Sequence, residues 1–146
     1  MTPPPTDPDT TAKPNLHHHQ KLAEPSSWIT RFAPLAPRGG ASHGRVLDLA
    51  AGGGRHARYF LGLGHPVTAV DRDVSAMADL AEEDNAEVTE IDLEDGKEWP
   101  FKRAGFAAIV VSNYLYRPHF DGLIASLEPA GGLLYETFAR GNEVFG

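Results

Sequence analysis

The chain of 146 residues contains no cysteine. Disulfide bonds and thiolate metal sites are therefore excluded, and the composition fits a reducing compartment. It also lacks any run of the roughly 18 to 20 apolar residues that a membrane-spanning helix needs. The first eight residues have neither the basic start nor the apolar stretch of a signal peptide. These absences predict a soluble, cytoplasmic protein with no membrane partner.

Basic residues are also scarce. The chain has 13 Lys and Arg against 20 Asp and Glu, which gives a formal net charge of −7. Proteins that grip nucleic acid usually carry a clustered basic face, and no run of Lys and Arg occurs here, so nucleic acid is not expected as a partner. Apolar residues make up 41% of the chain, which is ordinary for a globular protein, and the length suffices for one domain with one core.

Apolar periodicity is missing from residues 1–24, which are rich in Pro, Thr and Asp. Such a segment cannot bury enough surface to offset the entropy lost on ordering. We therefore predict a disordered arm over 1–24 and a single domain over 25–146. His17, His18 and His19 lie in this arm, where a solvated polar run is favoured over a metal site, and no metal is expected.

Beyond the arm, short aliphatic runs alternate with helical patterns. Ser26 and Ser27 can cap a short helix that Pro34 and Pro37 end, and Asp73 can cap a later one. This alternation predicts an α/β fold with a parallel sheet, helices on both faces and ligands beyond the carboxyl ends of the strands. The predicted strands are 45–50, 66–70, 86–91, 106–111 and 133–138, the last after a turn at 129–132, and the other predicted helices are 55–63, 74–84 and about 119–127.

Three consecutive glycines, at 52–54, join the first strand to the first long helix. Glycine permits a tight turn and a close approach of the backbone to a ligand, and the helix start offers free N–H groups with a partial positive charge. This signal is weak by itself. The pattern Gly52-x-Gly54-x-x-Ala57 also fits a variant of the dinucleotide-binding fingerprint.

Polar side chains end four successive predicted strands: Asp48, Asp71, Asp92 and Asn113. Because parallel strands meet at one edge of the sheet, these groups are expected to face one crevice. A carboxylate at position 71 can accept both ribose hydroxyls of an adenosine, and one at position 92 can accept the adenine amino group. Asp92 could instead be a solvated residue of the charged loop that follows it.

Five segments, in this order and spacing, resemble the motifs of class I S-adenosyl-L-methionine (SAM)-dependent methyltransferases, over residues 44 to about 138. The resemblance implies a three-layer α/β/α sandwich with a mainly parallel, Rossmann-like sheet. The segments are the acidic residue and glycines at 46–54, the acidic loop at 70–73, the strand ends at 90–93 and 111–114, and the proline-containing glycine segment at 127–134.

For the methionine half of SAM, the resemblance implies that Gly52 and Gly54 line the ligand. Asp48 would lie near its ammonium group, and Asn113 near the methionine end. Ala50 stands where the family has the first glycine of its motif, so one extra methyl group is expected next to the cofactor.

For the adenosine half, the resemblance implies that Asp71 binds the ribose and Arg72 lies along one adenine face. Asp92 would accept the adenine amino group, and Leu93 would donate its backbone N–H to the ring.

Other polar residues near this edge keep two interpretations. Arg55 and His56 either touch the methionine carboxylate or form an exposed helix start. Ordinary packing is favoured over acceptor contact for Tyr114, Tyr116 and His119, while Glu136 is a candidate for facing the active site.

Methyl transfer from a sulfonium chiefly requires positioning, so no catalytic base is assigned. The main hypothesis is a methyltransferase acting on a small molecule. The alternatives are a SAM-binding or protein-interaction module without turnover, and a nicotinamide-dependent oxidoreductase, for which no Tyr-x-x-x-Lys pair is present.

The family normally has seven strands, whereas only about five are predicted here and the last two are expected to be missing. The chain would then be a fragment, a shortened form or half of a dimer. An open edge strand favours a partner, with a homodimer as one solution.

Overall fold

A computed structural model describes residues 24–112, 114 and 116–136 of the chain. The predictions for the N-terminal arm, for its three histidines, for Asn113 and for the end of the fifth strand lie outside the described residues. The division into an arm and one domain therefore stays a prediction.

Helix α1, Ser27–Phe32, begins where the sequence predicts. The Ser26 hydroxyl accepts hydrogen bonds from the backbone N–H groups of Trp28 at 3.2 Å and Ile29 at 3.4 Å, which satisfies two donors at the helix start. A 3₁₀ turn over Ala33–Leu35 follows and contains Pro34. Since Ile29 is fully buried, this helix is held on the sheet by its apolar side.

Five strands form a single parallel sheet in the order β3-β2-β1-β4-β5. Because the strand order reverses between β1 and β4, the carboxyl ends of these two central strands flank the crevice in which open α/β sheets bind ligands. The strands are β1 Val46–Leu49, β2 Val67–Asp71, β3 Ala86–Glu90, β4 Phe106–Ser112 and β5 Leu127–Glu136, and the other α-helices are α2 Arg55–Gly62 and α3 Phe120–Ala125.

Each face of the sheet is covered by its own core. The first core contains Ile29 of α1 and Phe60 of α2, and the second contains Leu123 of α3. The predicted three-layer α/β/α arrangement is therefore confirmed. None of the helices in the described part of the chain has the length and apolar character of a membrane span.

The predicted helix over 74–84 is wrong. Two 3₁₀ turns, Ser75–Met77 and Leu80–Glu82, occupy this stretch instead. Its buried side chains, Met77 and Leu80, both lie against Gly54 of the glycine turn, and this tertiary contact holds the stretch in two short turns. The N-cap residue of the first turn is Val74 rather than the predicted Asp73, although Asp73 Oδ1 accepts a hydrogen bond from the backbone N–H of Ser75 at 3.0 Å.

The boundaries around β5 also differ from the prediction. A 3₁₀ turn, Arg117–His119, precedes α3, which ends two residues earlier than expected. Residues 129–132 lie inside β5 rather than before it, and they interrupt its pairing with β4: Phe106 pairs with Leu127 and Ala108 with Gly132. The turn-forming residues therefore bulge out of a strand that has already begun.

Candidate functional site

A cavity of about 290 Å³ opens at the carboxyl edge of the sheet and is lined by residues at or just after the ends of β1, β2, β3 and β4. Its position is the one that the strand order predicts for a ligand. Five of its lining residues belong to the predicted site: Ala50, Asp71, Arg72, Asp92 and Leu93. The other three, Ile91, Glu94 and Tyr114, were not assigned to the cofactor site from the sequence.

Asp71 is held in place by two backbone groups. Its Oδ1 accepts a hydrogen bond from Gly52 N–H at 3.2 Å, and its Oδ2 accepts one from Asp73 N–H at 3.2 Å. An ionised carboxylate offers about four acceptor positions, so the two oxygens retain capacity for a ligand. The side chain thus connects the end of β2 to the glycine turn after β1, at the wall of the cavity.

The segment from Asp92 to Glu94 forms the opposite part of the wall. Asp92 is exposed, and its Oδ1 accepts a hydrogen bond from Glu94 N–H at 3.0 Å. Leu93 is only 7% exposed, and its carbonyl is hydrogen-bonded to Nε2 of His119. The short loop is therefore stabilised by the Asp92 hydrogen bond inside it and by the His119 hydrogen bond to its backbone.

Asp48 lies behind the glycine turn rather than at the surface of the cavity. The carboxyl is 2% exposed, and its Oδ2 accepts a hydrogen bond from Ala57 N–H at 2.9 Å. Burial raises the pKa of Asp48 to about 7; the Ala57 hydrogen bond and the charge of Arg55 oppose this rise, and Asp71 adds to it. Asp48 thus anchors the first turn of α2, and its predicted contact with a ligand ammonium stays a prediction.

The turn after β1 has three left-handed residues, with φ values of 58° at Ala50, 60° at Gly52 and 86° at Gly54. A Cβ on Gly54 would lie 3.0 Å from Met77 Sδ and 3.2 Å from Leu80 Cδ2, whereas one on Gly52 would meet nothing within 4 Å. Gly54 is therefore required for packing beneath the turn. Gly52 leaves its backbone open to an approaching molecule.

His56 is buried, so the interpretation of it as part of an exposed helix start is wrong. Its Nε2 accepts a hydrogen bond from Ser26 N–H at 3.0 Å, and burial, aided by Arg55, lowers the pKa of His56 to about 4. Arg55 donates to the Glu24 carbonyl at 3.1 Å and to Ser112 Oγ at 3.3 Å. Arg55 and His56 therefore bind the segment just before α1 to the carboxyl edge of the sheet.

Arg58 supports the turn, although no sequence pattern distinguishes it. Its guanidinium donates to the Gly53 carbonyl at 3.1 Å and the Ala76 carbonyl at 3.3 Å, and it pairs with the Asp79 carboxylate at 2.6 Å. A surface arginine on a helix has many ordinary uses, so this role becomes visible only when the 3₁₀ turns are placed beside α2.

Tyr114 packs against the second core, as predicted, and it also lines the cavity. Its hydroxyl is buried without a hydrogen-bond partner among the described residues. Burial and the neighbouring Glu94 hold its pKa above the usual range, so the phenol stays protonated. Tyr135 of β5 donates its hydroxyl proton to the Tyr114 carbonyl at 2.8 Å, which fixes the backbone next to the cavity.

Tyr116 and His119 do pack as expected. Their ring centroids are 5.0 Å apart, and the His119 ring lies 5.4 Å from that of Trp99. Glu136 lies at the carboxyl edge, opposite Ser112 in the pairing of β4 and β5.

Comparison with known proteins identifies the family. The model of the methyltransferase domain family matches residues 46–131, which is more than half of the chain. The solved structure of the glycopeptide N-methyltransferase MtfA, complexed with SAM, is similar at 30% identity, with a TM-score of 0.56, over 77% of this chain and 50% of that one. The present chain thus spans about half the length of that protein.

Two further structures share the fold at lower identity. A Pyrococcus horikoshii protein matches over 93% of this chain and 60% of its own, at 18% identity and a TM-score of 0.61. A TehB-like SAM-dependent methyltransferase from Corynebacterium glutamicum matches over 82% and 68%, at 22% identity and a TM-score of 0.57.

A comparison with curated protein sequences gives no significant match. The findings above favour neither the oxidoreductase nor the non-enzymatic alternative. With the domain match and the parallel sheet in agreement, the chain belongs to the class I, Rossmann-like family of SAM-dependent methyltransferases.

Proposed function

We propose that this chain binds SAM at the carboxyl edge of its sheet and transfers the methyl group to a small-molecule acceptor. The observation that carries this proposal is the cavity in which the Asp71 carboxylate is tied to the backbone of Gly52. In this proposal Asp71 would bind the ribose, next to the turn along which the rest of the cofactor would extend.

The cavity residues suit the adenosine half of SAM. Asp71 would accept the ribose hydroxyls, and Arg72 would lie along one adenine face. Asp92 would accept the adenine amino group, and Leu93 would donate its backbone N–H to the ring. The volume of about 290 Å³ lies just below the range typical of small-molecule sites, about 300 to 1,000 Å³.

The glycine turn suits the methionine half. Gly52 leaves open space on its side-chain side, and Gly54 lets α2 start directly beneath. Ala50 lines the cavity and would place its methyl group next to the ligand. We assign Asp48 an indirect role, the anchoring of α2, beside its predicted position near the ammonium group. Asn113 keeps its proposed place at the methionine end.

SAM supplies a methyl group that its sulfonium has already activated, so the chain's own residues have chiefly to bind, orient and exclude water. Asp71 and the Asp92–Glu94 segment would fix one end of the cofactor, and the glycine turn the other. We assign no general base, because methyl transfer needs one only where the acceptor must lose a proton.

The acceptor and the surroundings of the protein are further proposals. The similarity at 30% identity to a glycopeptide N-methyltransferase supports an acceptor other than nucleic acid, as does the net charge of −7. The absence of cysteine supports a cytoplasmic location.

We also propose that two copies can pair through β5. This strand occupies one end of the sheet order, and α3 beside it exposes Phe120 at 38% and Ile124 at 52%. In the described part of the chain no further strand pairs with the outer side of β5, and such an edge with apolar neighbours favours association. Analytical ultracentrifugation should detect a dimer that Ile124→Lys weakens; a monomer at all concentrations would refute this pairing.

Calorimetric titration of the purified chain with S-adenosylhomocysteine, with NADH in parallel, tests the cofactor proposal. We expect binding of S-adenosylhomocysteine alone. A folded chain that binds neither compound, or NADH instead, would overturn the proposal. Binding without methyl transfer to a broad acceptor panel would favour the SAM-binding module without turnover.

A further inference from the structure

The carboxylate of Glu136 is a polar group that the proposed cofactor site does not use. Glu136 is the last described residue of β5, and it pairs with Ser112, the last residue of β4. Its Oε1 is buried and has no hydrogen-bond partner among the described residues. Leaving a buried acceptor unpaired is costly, so a hydrogen-bond donor supplied by a ligand would be strongly favoured at this position.

The side chain of Glu136 projects from the face of the sheet that carries α1 and α2. Side chains alternate along a strand, and Leu134 and Val110, two residues before Glu136 and Ser112, both belong to the first core. Arg55, at the start of α2, donates to Ser112 Oγ at 3.3 Å. Glu136 therefore stands on the same side of the carboxyl edge as the helix that follows the glycine turn.

The charge at this edge favours a cationic or N–H-bearing molecule. The cavity is lined by the carboxylates of Asp71, Asp92 and Glu94 against one guanidinium, that of Arg72, and the whole chain carries a net charge of −7. An acidic crevice concentrates cations and repels anions. Glu136 adds a further carboxylate at this edge, at the end of β5.

We propose that Glu136 binds the nitrogen of the methyl acceptor, and that the acceptor is therefore an amine. The proposal rests on the proposed function and deepens it by naming the class of acceptor. The acceptor binds through an N–H group to Glu136 and loses any ammonium proton to water before reaction. The nitrogen lone pair then forms a bond to the methyl carbon while the carbon–sulfur bond breaks. The electron pair of the broken bond stays on sulfur. The new ammonium group releases a proton to water.

Binding to the chain saturated with S-adenosylhomocysteine tests the proposal without requiring turnover. Affinities for a series of small primary and secondary amines, and for alcohols of the same carbon skeletons, would be measured by saturation-transfer NMR. Glu136→Gln keeps the size of the side chain and removes its charge. Glu83→Gln makes the same change at an exposed position outside the site and serves as the matched control.

We expect amines to bind more tightly than their alcohol counterparts, and Glu136→Gln to weaken amine binding by about 10- to 100-fold, the worth of one charge-assisted hydrogen bond. Glu83→Gln should change nothing. A preference for alcohols, no amine binding, or equal amine affinity in Glu136→Gln would overturn the proposal. Calorimetry with S-adenosylhomocysteine on the same samples distinguishes failure of the proposed function from failure of this inference. A wild-type chain that does not bind S-adenosylhomocysteine refutes the proposed function. A wild-type chain that binds S-adenosylhomocysteine but no amine refutes only this inference.

Discussion

Asp48 and Ala57 join the end of β1 to the first turn of α2 through a hydrogen bond of 2.9 Å. The Asp48 carboxyl is buried, and burial raises its pKa from 3.8 to about 7. The folded state therefore holds this proton more tightly than the unfolded state does. The resulting stabilisation is complete below pH 3.8 and is lost as the pH rises through about 7.

His56 acts in the opposite direction. Its pKa falls from 6.5 to about 4 on folding, so the unfolded state binds the proton more tightly. Its contribution to stability rises between pH 4 and 6.5. Over this range, the two residues largely cancel in the wild-type chain.

Replacing Asp48 by Asn should therefore expose the titration of His56. We expect the free energy of unfolding of Asp48→Asn, relative to wild type, to rise between pH 4 and 6.5 by up to about 3 kcal/mol, since one pKa unit corresponds to about 1.4 kcal/mol. Urea denaturation at a series of pH values measures this slope. A difference from wild type that does not depend on pH would contradict it.

The His56→Gln variant provides the converse test. With only the Asp48 titration left, its free energy of unfolding should fall, relative to wild type, as the pH rises from 4 to 6.5. The same urea series measures this change. A slope of the same sign in both variants would show that the two groups do not oppose each other.

Replacing Asp71 by Ala should weaken binding of S-adenosylhomocysteine by about 100-fold or more, because two charge-assisted hydrogen bonds to ribose hydroxyls would be lost, each worth about 1.5 to 3 kcal/mol. The variant also loses the hydrogen bond from Gly52 N–H, which positions the turn. Calorimetry measures the dissociation constant. Asp73→Ala, which removes only the side-chain hydrogen bond from Ser75 N–H, is the control and should bind nearly normally. Unchanged affinity in Asp71→Ala would disprove the assignment.

The sequence predicts which side chains at the strand ends line the cavity better than it predicts the hydrogen bonds beneath the cavity. Asp71 and Asp92 follow from a general rule, because parallel strands present their carboxyl ends at one edge, and both line the cavity. The hydrogen bond from Ala57 to Asp48 joins residues nine positions apart, and it depends on how α2 docks against β1. Local patterns do not encode that docking, so the sequence predicts a ligand contact for Asp48 but not its hydrogen bond with Ala57.

Helical periodicity gave the wrong structure over 74–84. The stretch 74–84 has apolar residues that fit a helix, yet Met77 and Leu80 bury themselves against the glycine turn in two 3₁₀ turns. Arg58 fastens this arrangement from outside. Tertiary contacts thus override a weak local preference, and the role of Arg58 could not be predicted without them.

Ala50 is a non-glycine residue with a φ of 58°, where the family has glycine. The left-handed region costs an alanine about 1 to 2 kcal/mol in the folded state. Glycine avoids that cost, but it destabilises the protein by about 0.4 to 1 kcal/mol because it raises the conformational entropy of the unfolded chain. Ala50→Gly should therefore raise the free energy of unfolding by up to about 1.6 kcal/mol. Urea denaturation measures it. The control, Ala51→Gly, has no left-handed strain to relieve and should destabilise; equal effects at both positions would argue against strain at Ala50.

Gly52 and Gly54 differ in what surrounds them, and this difference separates a ligand effect from a folding effect. Gly54→Ala should destabilise strongly, because its Cβ would press on Met77 and Leu80 within 3.2 Å and its φ is 86°. The Cβ of Gly52→Ala would meet no atom within 4 Å, so only backbone strain of about 1 to 2 kcal/mol is expected.

The Gly52→Ala variant should stay folded yet bind S-adenosylhomocysteine more weakly, because the methyl group would occupy the open side of the turn. Thermal unfolding and calorimetry on both variants measure the two effects. If Gly52→Ala bound the ligand as wild type does, the methionine half could not pass along this face of the turn, and the proposed path of the cofactor would have to leave the glycines.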